Sequence, residues 1–197
     1  MNMKTNLTSL IGAALFALPL AASAAENFSY RYVDLARFVD AEIDSDFGDV
    51  DGDGFQVRGS IPVAQNFFAL AELQDLDLDN GVDARRMLVG GGGYWPMGNN
   101  VDLVVRGGVV NYEVDFGRFE DDDTGLFAGA RLRAIVAPKI EVEGGVEHFE
   151  FDVAGLDGDT YIIGEGRYNF TPQWSAGVIL TIGGDQSVFG AQGRFNF

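Results

Sequence analysis

The sequence predicts an all-β chain folded as a transmembrane, up-and-down antiparallel barrel. Three observations predict it. Apolar residues recur at every second position through ten segments, the connections between those segments alternate between short and long, and the last segment ends in phenylalanine.

The ten segments are 28–39, 55–63, 67–76, 84–95, 101–115, 125–136, 140–152, 160–170, 174–183 and 187–197. Eight strands is the alternative if two of these are misread. One set of connections is short and of turn composition: Ala64-Gln65-Asn66, Pro96 to Asn100, Ala137-Pro138-Lys139 and Thr171-Pro172-Gln173. The other set is mostly longer and acidic: Asp40 to Gly54, Asp77 to Asp83, Gly117 to Thr124, Ala154 to Asp159 and Gly183 to Gln186. A membrane barrel has this asymmetry, with turns at one end and loops at the other.

Within the segments the two faces separate cleanly. Segment 187–197 sets Phe189, Ala191, Gly193, Phe195 and Phe197 against Gly190, Gln192, Arg194 and Asn196. Segment 55–63 sets Phe55, Val57, Ile61 and Val63 against Gln56, Arg58 and Ser60, and segment 101–109 sets Val101, Leu103, Val105 and Val109 against Asp102 and Arg106. A water-soluble barrel has the same alternation with its apolar face inward, so alternation alone leaves the two open. The aromatics favour the membrane reading. Tyr30, Phe67, Tyr94, Trp95, Phe170, Trp174 and Phe195 fall near the short turns. Phe38, Phe55, Phe116, Phe127, Phe149, Phe151, Tyr161 and Phe189 fall near the long loops, which gives the two bands expected of interfacial girdles. The alternation breaks phase at Val109-Val110 and at Glu147-His148, where β-bulges are expected.

Residues 1–24 read as a cleavable signal peptide, with Lys4, an apolar run from Leu10 to Leu20 and the small residues Ala22-Ser23-Ala24 before the cut. Residues 25–197 are then the barrel, exported by the general secretory route. No other run of ~18 apolar residues is present, which excludes a helical membrane protein. The net charge of −17 argues against nucleic acid as a partner. Aromatic content of 12% and 27 glycines turn the same acidity away from disorder and towards a glycine-rich β protein. There is no cysteine and so no disulfide framework.

At its two ends the chain resembles the small OmpA/OmpX-like outer-membrane barrels of Gram-negative envelopes. The opening Ser29-Tyr30-Arg31-Tyr32-Val33 and the final Phe189-Gly190-Ala191-Gln192-Gly193-Arg194-Phe195-Asn196-Phe197 carry the resemblance. It implies insertion by the outer-membrane barrel assembly machinery, with Phe189, Phe195 and Phe197 as the assembly signal. It also implies contact with outer-membrane lipid and lipopolysaccharide. It implies no single activity, since such barrels serve as structural proteins, adhesins, narrow porin-like channels and a few enzymes. The chain departs from the OmpA pattern in ending at the barrel, without a periplasmic domain, and in counting ten strands.

The inward face is expected to carry Arg58, Glu72, Arg106, Arg131, Arg133, Glu141, Glu143, Glu165, Arg167 and Arg194. In a barrel this narrow, side chains fill the interior, and mixed signs let them pair. Arginine, which outnumbers lysine eleven to two, suits such confined bidentate pairing. The expected result is a closed, salt-bridged lumen, with a narrow low-conductance channel as the alternative.

Asp49, Asp51 and Asp53, followed by Gly54, match the start of a calcium loop. Ser60 stands where the twelfth-position glutamate belongs, and a solvated acidic turn is the first reading. The acidic loops are also candidates for loose Mg²⁺ or Ca²⁺ binding. The single histidine, His148, offers an enzymatic alternative, but no nucleophile motif accompanies it. Gly90 to Gly93 do not lead into a helix as a phosphate loop does. Neither a cofactor nor a catalytic set is expected, and the leading expectation is a non-enzymatic barrel with a structural or surface-interaction role.

Overall fold

The computed structural model describes residues 28–43, 50–115, 117, 120–153, 156–184 and 186–197. Ten strands form one closed antiparallel barrel. They are β1 (Tyr32–Ile43), β2 (Val50–Ala64), β3 (Phe67–Leu78), β4 (Val82–Pro96), β5 (Val101–Asp115), β6 (Glu120–Ala137), β7 (Ile140–Glu150), β10 (Thr160–Asn169), β11 (Trp174–Gly183) and β12 (Gln186–Asn196). A small hairpin, β8 (Asp152–Val153) with β9 (Leu156–Asp157), stands between β7 and β10. Each strand pairs with its sequence neighbours, and β1 closes the ring on β12 from Tyr32↔Asn196 to Ile43↔Gln186. Ten strands, not eight, form the wall. The expected signal peptide lies outside the described residues.

Two of the short turns are two-residue hairpins, Gln65-Asn66 and Pro138-Lys139. Each places its second residue at positive φ, 62° for Asn66 and 70° for Lys139. Asn visits this region readily, whereas Lys139 does so against the steric preference of a side chain with a β-carbon.

The wall has two zones of opposite polarity. Near the short turns, β5 points Val101, Leu103, Val105 and Val109 outward and buries Asp102 and Arg106. Farther along the same strand, Asn111, Glu113 and Asp115 point outward while Val110, Tyr112 and Val114 are buried. The same crossover occurs on β3, where Leu73 gives way to Asp75 and Asp77 outside and Leu76 and Leu78 take the interior. On β4, Val89 and Met87 give way to Arg85 and Asp83 outside, above buried Leu88 and Ala84. The apolar stretch of β5 matches the ~9–11 residues a tilted strand needs to cross the hydrocarbon. Beyond it the strands stand in water, where the outside must be polar and the inside can be dry.

This crossover corrects several expectations. No bulge occurs at Val109-Val110 or Glu147-His148; pairing runs in unbroken register through both. The phase of the side chains is constant, and only the polarity of the two faces is exchanged. Register shifts occur instead at Phe38/Asp40, Pro62/Ala64 and Ile135/Ala137. Several strands are longer than their apolar cores suggest: β2 begins at Val50 and β6 at Glu120 because both run on into the aqueous zone. The first strand, by contrast, starts late. Arg31 still accepts a backbone hydrogen bond from Phe197, but Phe28 to Tyr30 leave the wall, with Phe28 and Tyr30 buried in the lumen.

The aromatic bands are also revised. Near the short turns a true outward girdle exists, made of Phe67, Trp95, Tyr168, Phe170, Trp174, Phe195 and Phe197. Tyr30 and Tyr94 do not belong to it, because both face inward. Of the described aromatics assigned near the long loops, Phe55 and Phe189 are exposed, while Phe38, Phe127, Phe149, Phe151 and Tyr161 are buried inside the barrel. Phe116 lies outside the described residues.

The two zones predict opposite responses on one face of the wall. Val105→Arg, in the lipid-facing zone, should cost about 2–4 kcal/mol in urea unfolding from bilayers. Asp77→Arg, on the outward face beyond the crossover, should stay within about 0.5 kcal/mol.

Candidate functional site

The lumen is the place where this chain concentrates its chemistry, and its filling follows from strand parity. Every second residue of the lipid-crossing zone points inward, so each strand delivers one to three polar side chains to a space too narrow for bulk water. Among the described residues seven arginines meet there: Arg58, Arg86, Arg106, Arg131, Arg133, Arg167 and Arg194. Seven carboxylates match them: Asp34, Glu72, Asp102, Glu141, Glu143, Glu147 and Glu165. Among the described residues this middle tier is therefore neutral, despite the net charge of −17 on the chain.

Arg58 on β2 stands at the centre. Its Nε and Nη2 donate to Asp34 Oδ2 at 3.0 and 2.6 Å, while Nη1 and Nη2 donate to Glu165 Oε1 and Oε2 at 2.8 and 2.9 Å. Glu165 on β10 also accepts from Arg131 at 3.1 Å, from Gln192 at 3.3 Å and from Arg167. Glu141 on β7 accepts from Arg133 at 2.8 Å and from Arg167 at 2.5 Å. Asp34 binds Arg194 of β12 through Nε at 2.6 Å and Nη2 at 2.8 Å, so this pair spans the seam where the barrel closes. Glu147 accepts from Nε and Nη2 of Arg106 and from Nε of Arg131, the last at 3.0 Å. Gly129, across the β6–β7 ladder, makes room for it, since a β-carbon there would lie 2.4 Å from Glu147 Cγ.

Such an arrangement resists opening. Removing one buried ion strands its partners without water, which costs more than the pair contributes when intact. Arg194 further stacks its guanidinium 3.8 Å above the Tyr32 ring.

Two apolar tiers bracket the ionic one. At the short-turn end Tyr30 stacks on Tyr94 and Phe68 with ring centroids 3.9 and 5.5 Å apart. At the long-loop end Tyr112 stacks on Phe151 at 4.8 Å, and Phe149 meets Tyr161 edge-on at 5.4 Å beside Phe127. Leu76, Leu88 and Val110 fill the space around them.

All ten residues assigned to the inward face from sequence stand in the lumen and take part in this network. Sequence reasoning missed four others: Asp34, Arg86, Asp102 and Glu147. Asp34 and Arg86 could have been found from parity, flanked as they are by outward Val33 and Leu35 or by Arg85 and Met87. Asp102 shares with Arg106 the polar face that the alternation sets against Val101, Leu103 and Val105, and that signal marks it for the lumen. Glu147 was obscured by the expected bulge.

The remaining candidates lie outside the lumen. Asp51 and Asp53 sit on a strand, not in a turn, and both point away from the interior. Asp53 accepts a hydrogen bond from Arg37 at 2.6 Å. Asp49 lies outside the described residues, and among those described no group of three or more metal-ligating side chains is assembled. Gly52 and Gly54 point inward, where a β-carbon would strike Leu78 or Leu76, so their spacing answers to packing. His148 is exposed on the outer face, with Nδ1 3.1 Å from Thr160 Oγ1. Phe189, Phe195 and Phe197 line one outward stripe, and Phe195 packs on Trp174 at 4.7 Å.

No protein-family profile and no curated protein matches the chain. Solved structures do resemble it. An outer membrane channel from Pseudomonas putida F1 aligns over 91% of this chain and 100% of its own, at 11% identity and a TM-score of 0.54. Neisserial surface protein A aligns over 86% of this chain and 98% of its own, at 12% identity and a TM-score of 0.49. The attachment invasion locus protein of Yersinia pestis aligns over 85% and 100%, at 13% identity and a TM-score of 0.45. The first of these likenesses shows the shared fold, a closed antiparallel β-barrel.

Charge removal separates the network from the surface pairs. Glu165→Ala leaves Arg58, Arg131 and Arg167 short of an acceptor and should cost about 3–5 kcal/mol. Arg85→Ala, which breaks an exposed pair to Asp75, should cost less than about 1 kcal/mol in the same urea titration.

Proposed function

We propose that this chain is a non-enzymatic outer-membrane barrel with a closed lumen, serving the membrane structurally and presenting its long-loop end to the outside. The observation that supports this reading best is the neutral network of seven arginines and seven carboxylates inside a wall whose outside is apolar. A water-filled pore keeps its lining charges solvated and apart, and it belongs to barrels of more strands. Here the charges are spent on one another across the lumen.

In this reading the short turns lie in the periplasm and the signal peptide supplies export. The outward stripe of Phe189, Phe195 and Phe197 serves recognition by the barrel assembly machinery. The extended β2–β5 wall carries Asp53, Asp75, Asp77, Asp83, Glu113 and Asp115 on its outer face, just beyond the apolar band. At that height the neighbours are the anionic headgroups of lipopolysaccharide. Divalent cations between the two surfaces would relieve like-charge repulsion, at low affinity and without a dedicated coordination cage.

Purified protein in a planar bilayer should give no steady single-channel current at moderate salt. Stepwise, long-lived conductance would overturn the closed-lumen reading in favour of a narrow channel. Fractionation tests the location separately: the protein should stay with the outer membrane until detergent is added, and release by osmotic shock alone would sink the membrane assignment.

A further inference from the structure

We infer that Phe28–Tyr30 is a removable plug, seated in the short-turn mouth of the barrel and separable from its wall. The pairing of β1 begins at Tyr32, opposite Ser60 on one side and Asn196 on the other. In the β1–β2 register the next partners would be Ile61 and Pro62. Pro62 has no N–H to donate, so a wall continued to Tyr30 would meet a strand with a missing hydrogen bond. The chain turns inward instead.

What holds the segment is a set of side-chain contacts. Phe28 and Tyr30 are almost wholly buried. Tyr30 lies flat against Tyr94 and donates its hydroxyl to Asp102 Oδ2 at 2.8 Å. Arg133 donates to the Ser29 carbonyl at 2.9 Å, with its guanidinium 5.0 Å from the centroids of both the Phe28 and Tyr30 rings. Ser60 Oγ donates to the Tyr30 carbonyl at 2.9 Å.

The last backbone bond of the seam runs from Phe197 N–H to the Arg31 carbonyl at 3.3 Å, so the ladder ends at Arg31 and unseating Phe28–Tyr30 breaks no strand pairing. Asp102 exchanges the Tyr30 hydroxyl for entering water, and the guanidinium beneath is not stranded, because Arg133 keeps Glu141 at 2.8 Å. The ionic tier and, Phe151 aside, the aromatic tier at the long-loop end are in contrast side chains of the wall itself, and Phe151 is held by a backbone hydrogen bond from Gly158 at 2.7 Å. The segment is therefore the part of the lumen filling with the lowest free energy of local opening. Its departure admits water to the ionic tier from the short-turn side, while the other two tiers still block passage. This inference deepens the closed-lumen reading and rests on it for its meaning, but its test stands apart.

The chain has no cysteine, so a single introduced thiol reports cleanly. Ser60→Cys places a near-isosteric thiol under the plug, and a charged, membrane-impermeant maleimide measures its exposure in the folded full-length barrel. With the plug intact, labelling should be far slower than at Asn100→Cys in an exposed turn. Adding Phe28→Ser and Tyr30→Ser should raise the Ser60→Cys rate about tenfold or more, the order expected when buried aromatic packing is removed. Adding Tyr168→Ser, an outward aromatic at the same end, should not. Heat-dependent gel mobility establishes that each variant is folded, and Phe28→Ser alone serves if the pair of changes prevents folding. The inference is overturned if Ser60→Cys reacts as fast as Asn100→Cys with the segment intact, or stays protected in folded variants without the two aromatic rings. Conductance of the unmodified barrel would count against the closed lumen and leave the labelling result to judge the plug.

Discussion

Closure of the hydrogen-bond ladder is the constraint on which the rest of this structure depends. Lipid offers no partner to a backbone N–H or C=O, so a sheet in hydrocarbon must have no edge. The pairing of β1 with β12 removes that edge. Once the ring is closed with ten strands, its diameter is set, and so is the small space every inward side chain must share. The Asp34–Arg194 pair lies across the seam itself, so lumenal electrostatics reinforce the one junction that joins the two ends of the sheet.

From closure follows the inversion of ordinary protein packing. Outside, the lipid takes the place of a hydrophobic core and accepts Val, Leu, Ile and the aromatic girdle. Inside, there is neither lipid nor room for bulk water, and the charges must satisfy one another. The balance of arginines against carboxylates meets that demand. It also explains why so acidic a chain gathers most of its arginines in the lumen and leaves its excess aspartates on the outer face and loops. Farther from the short turns the surroundings change to water and the faces exchange roles, with Phe38, Leu76, Val110 and Phe149 forming a dry interior. Membrane-type and water-soluble barrel patterns thus coexist in single strands.

The strand count, the short turns and the ten inward charges were legible in the sequence because each rests on local signals. Those signals are a period of two, turn residues, and a charged residue flanked by apolar ones. The two expected bulges share one cause. Val109-Val110 and Glu147-His148 look like phase breaks only if the outside is assumed apolar along the whole strand. Periodicity reports which residues share a face, but it does not report what that face touches.

The alternation and the turn chemistry by themselves determined an antiparallel barrel of about this size, because side-chain parity and hairpin geometry are properties of neighbouring residues. Only the tertiary structure decided where the membrane zone ends, which charges meet, and that Phe28 and Tyr30 enter the lumen. Those outcomes depend on strands distant in sequence being brought around a closed ring. Arg58 finds Glu165, and Tyr30 finds Asp102, only when the ring is complete.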